Sequence, residues 1–373
     1  MAADITIANA EPIITSGAFF ACFVFDVADT IDLTKLGRIA GESTKPAPLL
    51  RTIPSPEAIQ FAVPPLAANL PPVALDSRTA SARVKIYDYG VISIRIWFQY
   101  SGPWSGLGDL AVELRKDDRL AHISRDLLQQ VLLDCAPALD EPHVPLVEDY
   151  FVATVEDFEP KLEAKTLLAD YRSSLVKLML AEPQEIAPEE QAEALRLHFS
   201  YFPDDLIVVQ WDSAFIYDSA PDANVVLDLL EFANSQLVEF RTYDGRLDGE
   251  LDAIYAADFP PQRRWRPLHR RETELRAAQL RFLLVDVREL ADRATNALKI
   301  TGDAYYARIY RAIASRLGLE VWERSIENKL DAVGDVYRYL VDQAQVARSE
   351  FLELIVIVLI AIEIVVGVLG LHH

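Results

Sequence analysis

The chain has 373 residues, half of them apolar and a quarter charged, a globular composition rather than a disordered one, and longer than a single core usually grows. Its formal net charge of −21 argues against a dedicated nucleic-acid binder. Two cysteines, Cys22 and Cys135, are too few for a disulfide framework or a zinc-cluster fold and suit a reducing compartment. The acidity lies at the front: residues 1–260 carry a net −23 and residues 261–373 a net +2.

Residues 1–15 read as an N-terminal tail with neither a secretory signal nor an Arg-rich transit pattern. Residues 18–27 (AFFACFVFDV) are β-branched and aromatic and predict a strand. Residues 30–40 predict a short helix. Eight of the 21 prolines fall between Pro46 and Pro72, which predicts a long loop over 46–72. Residues 83–99 predict a hairpin turning near Asp88–Gly90, with Ile92, Ile94 and Ile96 alternating along its second strand. Helical spacing follows over 106–134, then a strand over 148–156. The order β-α-β-β-α-β predicts an α+β domain of ferredoxin-like order across 16–218, completed by helical patterns at 161–181 and 188–200 and a buried strand or strand pair at 206–217.

From 219 to 352 the pattern changes to long helices. Val226, Leu230, Ala233, Leu237, Phe240, Asp244, Leu247, Leu251 and Ile254 step by a mean of 3.5, with Asp244 the polar exception. Leu319 to Leu354 step in the same way, and 271–298 is also helical in pattern. Sustained 3–4 spacing predicts an antiparallel bundle of long helices.

Residues 354–371 (LIVIVLIAIEIVVGVLGL) hold one charge, Glu363. Eighteen helical residues rise about 27 Å, close to the ~30 Å of membrane hydrocarbon. A mid-membrane charge costs roughly 2.5–3.5 kcal/mol, less than the other residues return. The expectation is one C-terminal transmembrane helix over 353–371. Arg338 and Arg348 before it, with no Lys or Arg after Leu371, would keep the N-terminal bulk in the cytoplasm of a bacterial inner membrane. By spacing, Glu363, Gly367 and Gly370 share a helix face, the pattern of a self-association surface.

A basic segment, 262–271 (QRRWRPLHRR), gathers Arg263, Arg264, Trp265, Arg266, Arg270 and Arg271. Three readings stand: a juxtamembrane contact with anionic lipid, a contact with ribosomal RNA phosphates, or a solvated linker pairing with the acidic front. No catalytic constellation, cofactor fingerprint or metal-ligand spacing is found: Gly41–Lys45 lacks the second glycine of a phosphate loop, and Asp204 after Pro203 reads as a turn residue.

Residues 320–369, with Asn328-Lys329-Leu330, Leu352-Glu353 and an apolar run interrupted by Glu363, resemble the C-terminal signature of the "required for meiotic nuclear division" family, the YagE-type domain of unknown function. Residues 87–94 (YDYGVISI) resemble that family's strand motif, while Leu354 stands where its members usually have Trp. The resemblance implies a bacterial member, oligomeric and membrane-anchored, in a family whose eukaryotic members serve mitochondrial translation. The expected function is a self-associating scaffold or adaptor tied to translation or ribosome positioning. Its expected partners are the lipid membrane, further copies of the chain and basic proteins such as ribosomal proteins, without direct nucleic-acid binding. The alternatives are an enzyme with a pocket in the α+β domain and a soluble structural oligomer with the C-terminal helices as its core.

Overall fold

The computed structural model of the protein describes residues 11–47, 64–256 and 304–370. In chain order its elements are β1 (Ile13–Ile31), a 3-10 turn (Leu33–Lys35), β2 (Arg38–Ile39), β3 (Glu42–Ser43), β4 (Lys45–Pro46), β5 (Leu66–Leu75), β6 (Arg78–Ile86), β7 (Val91–Pro103), α1 (Trp104–Arg115), α2 (Arg119–Cys135), β8 (Leu139–Glu159), α3 (Ala164–Ala169), α4 (Arg172–Leu180), α5 (Pro188–Ala194), β9 (His198–Phe199), β10 (Leu206–Val209), β11 (Ser213–Tyr217), α6 (Ala220–Ala256), α7 (Ala304–Arg316) and α8 (Leu319–Gly370). The described residues fall into two units: 11–47, 64–242 and 304–320 in the first, 243–256 and 321–370 in the second.

The first unit is α+β and is built on a nine-stranded mixed sheet in the order β4-β5-β6-β7-β1-β8-β11-β10-β9. The expected ferredoxin-like order is thereby corrected. Among the described residues no α-helix separates β1 from the β6–β7 hairpin; β5, β6 and β7 form an antiparallel meander that β1 joins. The segment 30–40, expected as a helix, is the 3-10 turn and the start of the small β2–β3 hairpin. Its four-residue TIDL start carries two β-branched residues and β1 simply runs on through Ile31. The Pro-rich stretch is also interrupted by structure. Pro71 and Pro72 sit in β5 at a register shift between Leu70 and Val73, where a missing N–H breaks no regular ladder. Residues 48–63 lie outside the described set.

Period-two alternation gives the sheet two different faces. Phe19, Phe23, Phe25, Ile92, Ile94 and Ile96 belong to one continuous apolar core with Leu107, Leu110, Leu127, Val131 and Leu175 of α1, α2 and α4. The long pattern at 106–134 is split between α1 and α2 at Lys116–Asp118. Gly90, in the β6–β7 turn, has φ +90°, and a Cβ there would stand 1.7 Å from the carbonyl oxygen of Ala28. Only glycine allows that close approach. On the opposite face the same strands carry Cys22, Lys85, Ser93, Arg95 and Tyr150, all buried. Parallel pairing of β8 with β11, register Ala153↔Phe215, follows from the α3–α5, β9 and β10 excursion between them.

In the second unit, the end of α6 and the body of α8 meet through Lys329, whose Nζ lies 2.8 Å from Asp244 and 2.6 Å from Asp248. The polar exception in the α6 seam is therefore an ion-paired residue. Leu247, Ile326, Leu330 and Val333 are buried, as the 3–4 spacing requires. Gly318, φ +69°, ends α7 in a left-handed turn. The expected helix 271–298 lies outside the described residues.

Helix α8 runs unbroken for 52 residues. Among the described residues, however, no helix is long and apolar enough to cross a membrane. The expected transmembrane helix, tail anchor and inner-membrane location over 353–371 are corrected accordingly.

Candidate functional site

Two features of the first unit concentrate chemistry: a buried charge cluster beneath α6, and an open groove near the β9 edge of the sheet. The cluster follows from sheet register. Lys85 and Ser93 are opposite one another on β6 and β7, as are Cys22 and Arg95 on β1 and β7. All four point to the face covered by α6. The helix answers with Asp228 and Glu231, three apart and so on one side.

Lys85 Nζ is 2.5 Å from Glu231 and 3.0 Å from Asp228. Arg95 donates to Glu231, and to Asp228 at 3.1 Å. The Ser93 hydroxyl donates to the second Glu231 oxygen at 2.5 Å. Burial works against charge on Glu231, but Arg95 and Lys85 outweigh it and hold the carboxyl down at about 2. Burial pushes the Cys22 thiol up to about 12 despite Arg95 beside it, so it is no nucleophile at neutral pH. Two cations and two carboxylates balance, and every side chain of the set is satisfied by another. Tyr89 bonds Ser235 at 2.7 Å, Tyr310 bonds Gln236, and Arg241 pairs with Glu148, extending the polar seam along α6. This arrangement docks a helix on a sheet.

The groove is different. It has a volume of about 560 Å³ and is lined from α3, β9 with the following loop, and α7, including Lys165, His198, Phe199, Phe202 and Arg308. The Arg308 guanidinium lies 5.6 Å from the Phe199 ring centre and 5.5 Å from that of Tyr305. His198 Nδ1 is 2.8 Å from the Leu195 carbonyl; a carbonyl only accepts, so Nδ1 carries the proton. Tyr201 and Phe202 are 65% and 61% exposed. They meet edge to face at 4.9 Å.

Of the residues singled out from sequence, Arg263, Arg264, Trp265, Arg266, Arg270 and Arg271 lie outside the described residues. Glu363, Gly367 and Gly370 are placed on α8; their side-chain surroundings lie outside the described set. Beside them Val356, Ile357, Val358, Leu359, Ile360, Ile362 and Ile364 are all 47–60% exposed. Sequence reasoning passed over Lys85, Arg95, Asp228 and Glu231. One signal was available: residues 225–240 (VVLDLLEFANSQLVEF) are apolar nearly all round, and a helix apolar on all sides is buried, so its charges need partners.

A family model described as "Uncharacterized protein MJ0711, N-terminal domain" matches residues 16–223, from β1 to the first turn of α6. The uncharacterized protein MJ0711 of the archaeon Methanocaldococcus jannaschii is 23% identical over 214 residues, which are 57% of this chain and 65% of that relative's length. No solved structure matches. The resemblance to the "required for meiotic nuclear division" family is corrected by these matches: the matching family is a different one, carried by the sheet unit rather than by the last fifty residues. Hydrophobic periodicity with one acid is a pattern that many long helices share, and it misled here. The bacterial origin drawn from it has no support beside an archaeal relative. The matched residues cover more than half of the chain, and the chain belongs to the MJ0711 N-terminal domain family.

Proposed function

We propose that the protein is a self-associating scaffold, in which the apolar end of α8 is covered by the same stretch of further copies. One observation carries this reading. Positions 356–360 are five consecutive large apolar residues, each 47–60% exposed. Consecutive positions cover the whole circumference of a helix, so no single stripe on this chain could bury them. A second copy brings an apolar surface of the same length and chemistry, and symmetric pairing is the common way such surfaces close. Glu363, Gly367 and Gly370 fall on one helix face by spacing, and the two glycines allow a close approach there. The acidic front part suits basic protein partners, ribosomal proteins among them. The link to translation rested on the family resemblance and falls with it.

Sedimentation velocity of the purified full chain tests the reading. An oligomer is expected, and Ile357→Lys with Ile360→Lys should reduce it to a monomer. A full chain that sediments as a 41.8 kDa monomer at all concentrations overturns the proposal.

A further inference from the structure

We infer that the groove at the β9 edge is a binding site for a nucleoside monophosphate, with Arg308 and Lys165 toward the phosphate and Phe202 against the base. This goes beyond self-association and does not depend on it.

The first observation is the state of Arg308. The chain has 57 acidic residues against 36 basic ones. Seven described arginines, Arg78, Arg95, Arg115, Arg119, Arg196, Arg241 and Arg316, bind a carboxylate, and Arg38 and Arg311 bond backbone carbonyls. Among the described residues no carboxylate lies within ion-pair distance of Arg308. Its guanidinium is held between the rings of Phe199 and Tyr305 instead. A stacked guanidinium keeps its N–H donors along the open edge of the plane, the geometry that grips a phosphate bidentately.

The second observation is what shares the groove. Lys165 pairs only with Glu163, two residues away, at 2.6 Å and with 81% of its side chain exposed; such a pair is weak and leaves the ammonium available. His198 has Nδ1 committed to the Leu195 carbonyl, so Nε2 is left as an acceptor, suited to a ribose hydroxyl or a base N–H. Arg308 and Lys165 against Glu163, the one carboxylate among the described lining residues, leave the groove one positive charge in excess on a strongly acidic protein. The exposed ring of Phe202 adds flat apolar surface at the same place, which a purine or pyrimidine would cover by stacking. The groove volume of about 560 Å³ falls in the range of small-ligand sites. The net charge of −21 repels a long polyanion, which selects the mononucleotide over a nucleic-acid strand.

Calorimetric titration of the full chain with AMP, with adenosine and inorganic phosphate as separate arms, decides the matter. Saturable AMP binding is expected, tighter than either fragment. Arg308→Ala should weaken it at least about tenfold, and Arg308→Lys, which keeps the charge but loses the stacked fork, should restore it only in part. Phe202→Ala should weaken AMP about tenfold while leaving phosphate unchanged. Absence of saturable binding at about 1 mM AMP, or AMP binding indifferent to both Arg308→Ala and Phe202→Ala, overturns the inference. Both positions are surface residues, so the variants retain the core packing.

Discussion

Ile92, Ile94 and Ile96 on β7 are fully buried, whereas Ile357, Ile360 and Ile364 on α8 are 50–60% exposed. The residue type is the same and the setting opposite. In the sheet unit Ile92, Ile94 and Ile96 pack into one core with α1, α2 and α4, and even the inward charges of the other face find countercharges on α6. In the last part of α8 large apolar residues stand in consecutive positions with no cover from the described chain. Exposed isoleucine on this scale forgoes about 1.5–3 kcal/mol per side chain of burial. The core of the sheet unit is thus closed in one copy, whereas the end of α8 is covered only under the self-association proposed above.

The sharpest way to break the sheet half of that comparison is Glu231→Leu. Lys85 and Arg95 would remain buried with only the partly exposed Asp228 to face them. A loss of about 3–5 kcal/mol is expected from urea unfolding, because an uncompensated buried charge costs more than the intact pair returned. Next comes Ile94→Ala, which should cost about 2–5 kcal/mol through lost burial and a residual cavity. The matching change Ile364→Ala should leave the unfolding of the sheet unit within about 0.5 kcal/mol and act on association instead.

A pH titration sharpens the comparison further. Glu231 is held at about 2, below its ordinary 4.5, so the folded state binds fewer protons than the unfolded one. Its stabilising contribution is complete above about 4.5 and is lost as the pH falls toward about 2. Acid unfolding followed by circular dichroism should show this loss in the native chain, and Glu231→Gln should remove that part of the pH dependence. A small effect is also expected for Arg78→Ala. Its pair with Glu113 is 40% and 45% exposed, and removal should cost less than about 1 kcal/mol.

Local periodicity made much of the sheet unit legible. The alternation of Ile92, Ile94 and Ile96 marks β7, the spacing of Leu107 to Leu114 marks α1, and the 3–4 steps from Val226 mark α6. The topology was less legible because β1 spans 19 residues and serves two neighbours at once, while β5 runs through prolines that usually end strands. The charge cluster was hidden by distance, since Lys85 and Glu231 are 146 residues apart, and no local pattern links them. The groove was hidden for the same reason: Lys165, His198 and Arg308 come from three separate segments. The apolar stretch of α8 was plain in the sequence, but hydropathy alone does not say what covers it.

Thiol labelling at the end of α8 addresses the central claim most directly. Cys22 and Cys135 are both buried, so an Ile360→Cys variant of the full chain carries one accessible thiol. If further copies cover α8, maleimide labelling of that thiol should be slow at high protein concentration and accelerate on dilution. Equal labelling rates at every concentration would contradict the account.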